Sequence, residues 1–292
     1  MTRKLLSLTL LAATFAATAA PPPSKPAAAV PRHATAQAIS DPAVQFRNWA
    51  RLFRSNDVAG LVRAMVPPTK WDEFRLVYEM KKLEPISDKD RADFAEKLAK
   101  LTAPDAVDRL MLELEPKLEE ARPQLPGALL MAFGAMHVAV NSPDNKLTDE
   151  QRAALQSAIP GIQNWASTTD FLSSHTLRQA LTLLTDAARR TGISSLDQLK
   201  ALPVEASLDR MRPMLSAAKQ AAQLYGVDLD AIADSLQVDV LEIDGDTARV
   251  RTSIMLFGAP VWVEHDLVLI EGRWYGKHAA RHWQIERVSA DG

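Results

Sequence analysis

The hydrophobic period of this chain changes once, near Gln237, and that change constrains the fold more than any other feature. Across residues 40–236, apolar residues recur at the three- and four-residue spacing of helices. After that they alternate, as in strands, within four segments: 238–243, 247–257, 261–270 and 273–275. Because only short turns separate these segments, consecutive strands are expected to be antiparallel neighbours. The sequence therefore predicts an α+β fold, with a large helical region (40–236) followed by a four-stranded antiparallel meander and a C-terminal tail (237–292).

One face of the predicted meander is apolar. On the third strand, every second residue from Val261 to Leu269 is apolar except His265, and the second strand places Val250 and Ile254 on the same face. A sheet face of this kind has to be buried, so helices are expected to pack on it.

Composition limits the class of protein. The chain has 292 residues, of which 47% are hydrophobic and 24% charged, so it can build a sizeable core in one large domain or two. Proteins that bind nucleic acids usually carry an excess of basic residues, whereas the net charge of this chain is −2. Nucleic acid is therefore not an expected partner. The absence of cysteine excludes disulfides, thiolate metal sites, a cysteine nucleophile and a lipid attached to cysteine.

Residues 1–19 predict a secretory signal peptide. A short basic start precedes an apolar stretch over 5–17, and small residues then allow cleavage after Ala19, with Ala20 as the alternative. The apolar stretch is shorter than the roughly 20 residues that span a membrane. Since a short, Ala-rich signal is typical of bacteria, the expected location is the periplasm, with release outside the cell as the alternative.

Residues 20–39 contain five prolines among small residues, which predicts a disordered tether. The longest apolar run after the tether covers 128–140, and its length suits a buried helix rather than a membrane span. No transmembrane segment is therefore expected in the mature chain.

The helical region also shows ordered internal matches. Asn48-Trp49-Ala50 recurs as Asn164-Trp165-Ala166, and Pro116 with its following helix recurs at Pro213. These matches indicate a degenerate duplication, and chance similarity between Ala- and Leu-rich helices is the alternative.

Two strings of the meander resemble the closing strands of the nuclear transport factor two-like superfamily, which includes SnoaL-like cyclases: VDVLEIDGDTARVRTSIM and EHDLVLIEGRWYGK. The resemblance covers the C-terminal meander alone. It implies a curved sheet with helices packed into its concave side, forming a cone with a cavity. Because the superfamily holds both enzymes and non-enzymes, the resemblance implies little about activity.

The chain has no nucleophile elbow, phosphate-binding loop or zinc-protease helix motif. His278 and His282 are four residues apart, but Lys277 and Arg281 beside them would repel a cation, so no metal site is expected. No cofactor is predicted, and no catalytic residue can be assigned.

The meander supplies three candidate ligand-binding residues that are aromatic. His265 is the polar exception on its strand face, and the preferred interpretation is a hydrogen-bonded core histidine rather than a cavity side chain. Trp262 and Trp274 would indicate a binding surface if they were exposed together, although packing between sheet and helices is the commoner fate of tryptophan.

Two further candidates are basic. Arg249 and Arg251 share a strand face, and Glu264 and Asp266 on the neighbouring strand can face them. This pattern favours cross-strand ion pairs over an anionic-ligand site.

Together these features predict an exported, non-enzymatic binding protein of the bacterial envelope, for a small apolar ligand or a protein partner. The alternative is a hydrolase- or isomerase-type enzyme with His265 in a cone-like cavity. A polar cavity holding His265 and a second titratable group would favour the enzyme. A filled core with an exposed apolar surface would favour a partner-binding module.

Overall fold

The computed structural model describes residues 41–145 and 147–280. The predicted signal peptide, the predicted tether and His282 lie outside these residues. Within them the chain is α+β, as predicted: helices precede a four-stranded antiparallel sheet that packs against them.

In the described residues, twelve helices precede the sheet: α1 (Pro42–Arg54), α2 (Val58–Ala64), α3 (Pro68–Lys82), α4 (Asp88–Thr102), α5 (Ala106–Ala121), α6 (Leu125–Asn141), α7 (Asp149–Thr168), α8 (Ser174–Arg190), α9 (Leu196–Ala201), α10 (Val204–Asp209), α11 (Arg212–Leu224) and α12 (Leu229–Asp234). By length and composition, none of the helices in the described ranges could cross a membrane by itself. The consecutive helices α5 and α6 meet that criterion only when counted as a pair, and the pair is bent by 69°.

Side-chain caps explain where several helices begin. Asp41, Ser87 and Thr148 each accept a hydrogen bond from a backbone N–H two or three residues further on, at the starts of α1, α4 and α7. Gln151 returns the contact to the Thr148 backbone, which completes a capping box. Each of these capping residues precedes an acidic residue or a proline in the first turn, so the sequence alone predicts a helix start at all three positions.

The sheet is a meander whose strands lie in chain order: β1 (Gln237–Asp244), β2 (Thr247–Leu256), β3 (Ala259–Ile270) and β4 (Arg273–Gly276). The strand ends lie within one or two residues of the predicted ones. In the β2–β3 register, Val250 is opposite His265 and Ala248 is opposite Leu267. The predicted apolar face is therefore confirmed. Ala43 and Phe46 of α1 cover it, within a core cluster that also contains Trp274.

The opposite face of the sheet receives α7. Its first turn brings Glu150 to 3.7 Å from Arg251 of β2. Further along α7, the ring of Trp165 stacks on Phe257 in the β2–β3 turn, with centroids 4.7 Å apart. The sheet thus lies between α1 and α7.

Gln45 of α1 closes the outer edge of β4. The Trp274 backbone N–H donates to Gln45 Oε1 at 2.8 Å, and Gln45 Nε2 donates to the Trp274 carbonyl. One side-chain amide therefore satisfies two edge groups that would otherwise need another strand or water.

The packing of α6 contradicts a prediction. The run 128–140 is helical, but the expectation that it forms a buried helix is wrong: Val140 is the only buried residue of α6. Leu130, Met131 and Val138 expose 74%, 73% and 71% of their surfaces. The helix is apolar all round, yet its packed side faces α7 and its other side lacks a cover among the described residues.

Candidate functional site

His265 lies between the sheet and α1. Its Nε2 is 2.8 Å from the Thr252 hydroxyl on the neighbouring strand, and its ring centroid is 5.4 Å from that of Phe46. Burial lowers the pKa of His265 below its usual value, and the adjacent Asp266 carboxylate partly opposes the effect. A neutral imidazole that bonds a hydroxyl within a packed layer supports the interpretation of a core histidine.

Two clefts stand out on the surface of the described residues, and His265 lines neither of them. The first has a volume of about 360 Å³ and lies between β3 and the first turn of α7. The second, of about 230 Å³, lies beside three arginines of α1 and Asp234. Most residues that line the clefts are polar or charged, although apolar atoms make up slightly more than half of the lining surface. Both clefts are open to solvent, whereas a small apolar ligand requires a concave pocket that buries most of its surface.

Arg251 and Trp262 lie beside the first cleft. Arg251 Nη2 donates to Glu264 Oε1 at 2.8 Å, and the guanidinium carbon is 4.3 Å from the centroid of the Trp262 ring. The hydrogen bond with Glu264 raises the pKa of Arg251, while burial opposes that change. Since Glu150 approaches the same guanidinium, carboxylates already balance its charge. The cross-strand ion pair predicted for Arg251 is confirmed.

Arg249 and Trp274 do not join this group. Arg249 is exposed, and its Nη2 lies 3.5 Å from Glu242 of β1, although Asp266 stands opposite it in the β2–β3 register. Trp274 has no exposed surface and packs in the core cluster. The sheet therefore separates the five candidate residues: His265 and Trp274 lie on the face that α1 covers, and the other three lie on the face towards α7.

The other histidines of the described residues are His137, His175 and His278. In the described part of the chain, no group of three or more His, Asp or Glu side chains could hold a metal ion. His137 lies within the run 128–140, whose apolar sequence predicts a core histidine. That prediction is wrong, because His137 is exposed and its Nε2 lies 3.4 Å from Gln163 Nε2. His278 falls in a helical turn after β4, and its predicted neighbour His282 lies outside the described residues.

An exposed apolar line on α3 is the feature that sequence reasoning missed. One face of α3 packs inward, since Trp71 is buried and the Tyr78 hydroxyl is 3.0 Å from Ser207 Oγ. The opposite face carries Leu76 and Met80, Leu83 at the C-cap continues their line, and Val77 lies beside it. These four exposed apolar residues are here named the outer stripe.

A signal for the outer stripe exists in the sequence. Residues 71, 74 and 78 recur at helical spacing, and so do residues 76, 80 and 83, which makes two apolar faces on one helix. A surface helix needs only one apolar face to pack on its own core. The second face therefore indicates either a fully buried helix or a contact with another molecule.

Comparison with known proteins gives no match to a family model, to a curated protein or to a solved structure. The resemblance of the meander to the nuclear transport factor two-like superfamily therefore stays a prediction. The fold and its surfaces define an α+β protein in which helices cover one face of the sheet, while other helices expose apolar faces. Any functional conclusion has to rest on those surfaces.

Proposed function

We propose that this chain is an exported, non-enzymatic binding protein of the bacterial envelope, which holds a protein partner on the outer stripe of α3. The exposure of the stripe carries the proposal: Leu76, Met80 and Leu83 expose 63%, 53% and 86% of their surfaces. Contiguous apolar residues on a water-facing helix gain free energy when another surface covers them. Full burial contributes about 1.5–3 kcal/mol for each side chain of this size.

The shape of the stripe favours a protein over a small molecule. A small apolar ligand binds in a concave pocket that buries most of its surface, whereas one side of a helix is convex. An apolar helix face of a partner can instead pack its side-chain ridges into the grooves of α3.

Charges along α3 support selection by apolar shape. Lys70 pairs with Glu73 at 2.7 Å, and Lys82 pairs with Glu79 at 2.9 Å, so these side chains balance one another within the helix. A partner with opposite charges would therefore gain little binding free energy from these side chains. Apolar packing against the outer stripe would determine which partner binds.

The enzyme alternative has less support. It requires His265 in a cavity with a second titratable group, but His265 bonds the Thr252 hydroxyl and packs beside Phe46. Export is proposed from the predicted signal peptide over residues 1–19, with the periplasm as the location.

Site-specific crosslinking tests this function, because a single introduced cysteine is unique in a cysteine-free chain. Val77→Cys is labelled with a photoreactive maleimide, and the protein is illuminated in periplasmic extract. We expect an adduct with a different protein that disappears when Met80→Lys is added. Leu112→Cys on α5 is the matched control, since Leu112 is also highly exposed and lies outside the stripe.

If Val77→Cys and Leu112→Cys yield the same adducts, or if Met80→Lys leaves the adduct unchanged, the outer stripe does not select a partner.

A further inference from the structure

We infer that α6 joins two copies of this chain, as an antiparallel pair of helices that cross near Gly134. This surface is separate from the outer stripe of α3. The inference concerns self-association, and it goes beyond the binding of a different protein proposed above.

The first observation is that only one side of α6 is covered. On that side α7 holds the helix, where Arg152 donates to the Val140 carbonyl at 2.7 Å and Gln156 donates to Asn141 at 2.7 Å. The other side presents Leu130, Met131 and Val138 almost entirely to solvent. A helix that is apolar all round is normally buried, so the outer side of α6 lacks a covering surface within the described residues.

Gly134 provides the second observation. It lies in the middle of α6, where glycine costs about 0.5–1 kcal/mol relative to alanine. A Cβ atom at this position would meet nothing within 4 Å, so packing within the chain does not require a glycine. At Gly161 of α7, by contrast, a Cβ atom would lie 2.2 Å from the Phe257 carbonyl oxygen. The absent side chain at Gly134 is explained by the close approach of a backbone from outside the chain.

The third observation is symmetry. Leu130 and Val138 lie one helical turn before and after Gly134, on the same outer side. When two copies of α6 cross in antiparallel orientation at Gly134, Leu130 of each copy therefore lies opposite Val138 of the other. A twofold axis repeats this contact, as a self-complementary interface requires.

The absence of charged residues from α6 favours a second copy of the chain over a membrane surface as the partner of this helix. No Asp, Glu, Lys or Arg occurs in α6, so two copies can approach around a twofold axis without placing like charges together. A helix that lies on a membrane surface typically carries Lys or Arg beside its apolar side, often with Trp, and α6 has none of these.

The available area sets the strength of the association. A 17-residue helix is about 26 Å long. With a diameter of about 10–12 Å, half of its surface amounts to roughly 400–500 Å² per copy. A dimer would then bury at most about 800–1,000 Å², which is the size of a weak, transient interface. We therefore expect a reversible dimer that forms as concentration rises.

Sedimentation and light scattering of the purified full chain over a range of concentrations test the inference. The wild-type mass should rise from one copy towards two. Val138→Lys should stay monomeric at every concentration, because it places a charge on each side of the twofold axis. Leu112→Lys, a matched change on α5, should behave like the wild type, and circular dichroism should show that both variants keep their helices.

A crosslinking variant gives an independent readout. Gly134→Cys would bring two thiols together at the crossing point, so a short bismaleimide should join two copies. Ala95→Cys, at an exposed position of α4, should give at least ten-fold less of this product.

Three results would overturn the inference: a wild type that stays monomeric, a Val138→Lys variant that dimerises as well as the wild type, or equal crosslinking of both cysteine variants. If a monomeric wild type floats with vesicles of phosphatidylethanolamine and phosphatidylglycerol and Val138→Lys does not, the occupant of α6 is lipid and the dimer is wrong. None of these results affects the crosslinking test of α3.

Discussion

At the scale of the residue, contacts with two neighbouring elements hold the His265 side chain in place. The imidazole bonds the Thr252 hydroxyl across two strands, and α1 supplies the aromatic ring beside it. Removal of either partner leaves a polar group in a half-buried layer, which costs about 1–3 kcal/mol when the group is fully buried.

We predict that His265→Ala lowers the free energy of unfolding, and that the loss is largest above pH 6.5, the usual pKa of the group. Because burial lowers the pKa of His265 in the folded state, its stabilising contribution is complete above the unfolded pKa and decreases as pH falls through the folded pKa. Urea unfolding between pH 8 and 5 should therefore show the two proteins converging as pH falls.

Thr252→Val is the control for this prediction. It should cost a similar amount near neutral pH, and the double variant should cost less than the sum of the two single ones. A constant difference between wild type and His265→Ala across the pH range would contradict a neutral, buried imidazole.

At the scale of the element, α7 docks on the sheet through a glycine. The backbone of Gly161 lies against the Phe257 carbonyl, and Trp165, one turn further along, stacks on the Phe257 ring. Phe257 itself has a φ of 48°, a left-handed conformation that bulky residues rarely adopt. The packing of α7 against the turn supports that conformation of Phe257.

We predict that Gly161→Ala destabilises the protein by about 1–3 kcal/mol, because the new methyl group would collide with a backbone oxygen that cannot easily move. Helix propensity alone predicts the opposite sign, a gain of about 1 kcal/mol. Thermal unfolding of Gly161→Ala and of Ala153→Gly, at an exposed position on the same helix, separates the two effects. If Gly161→Ala raises the melting temperature, the close approach of α7 to the turn is wrong.

At the scale of the whole molecule, α1 connects the sheet to the rest of the chain. Gln45 bonds the edge of β4, while the buried Lys219 of α11 donates to the carbonyls of Phe53 and Arg54 at the end of α1. These contacts join residues that are far apart in sequence. The sheet therefore depends on a helix from the opposite end of the described chain.

We predict that residues 237–292, expressed alone, remain unfolded or aggregate. Without α1 the apolar sheet face is exposed and the β4 edge loses its side-chain partner. Circular dichroism and a thermal melt of the fragment, with the full chain as control, check this expectation. A soluble fragment that melts cooperatively would show that the meander is an independent domain.

The sequence by itself determined the local features of this protein. The change of period near Gln237 located the four strands, the turns between them set their antiparallel order, and the capping residues located the helix starts. The ion pair between Arg251 and Glu264 was predictable for the same reason, because short turns place these residues on neighbouring strands and on one face.

Tertiary structure decided which apolar faces are covered. The run 128–140 predicted a buried helix. The sequence contains two apolar faces on α3, but it does not say which of them is covered, because burial depends on which distant helices meet. The contact of Gln45 with β4 likewise cannot be predicted from the neighbouring sequence, because it joins residues that are 229 positions apart. Hydrophobic period and caps act over a few neighbouring residues and can be deduced from order alone, whereas the covering of a face requires a partner that only the folded chain, or a second molecule, brings into place.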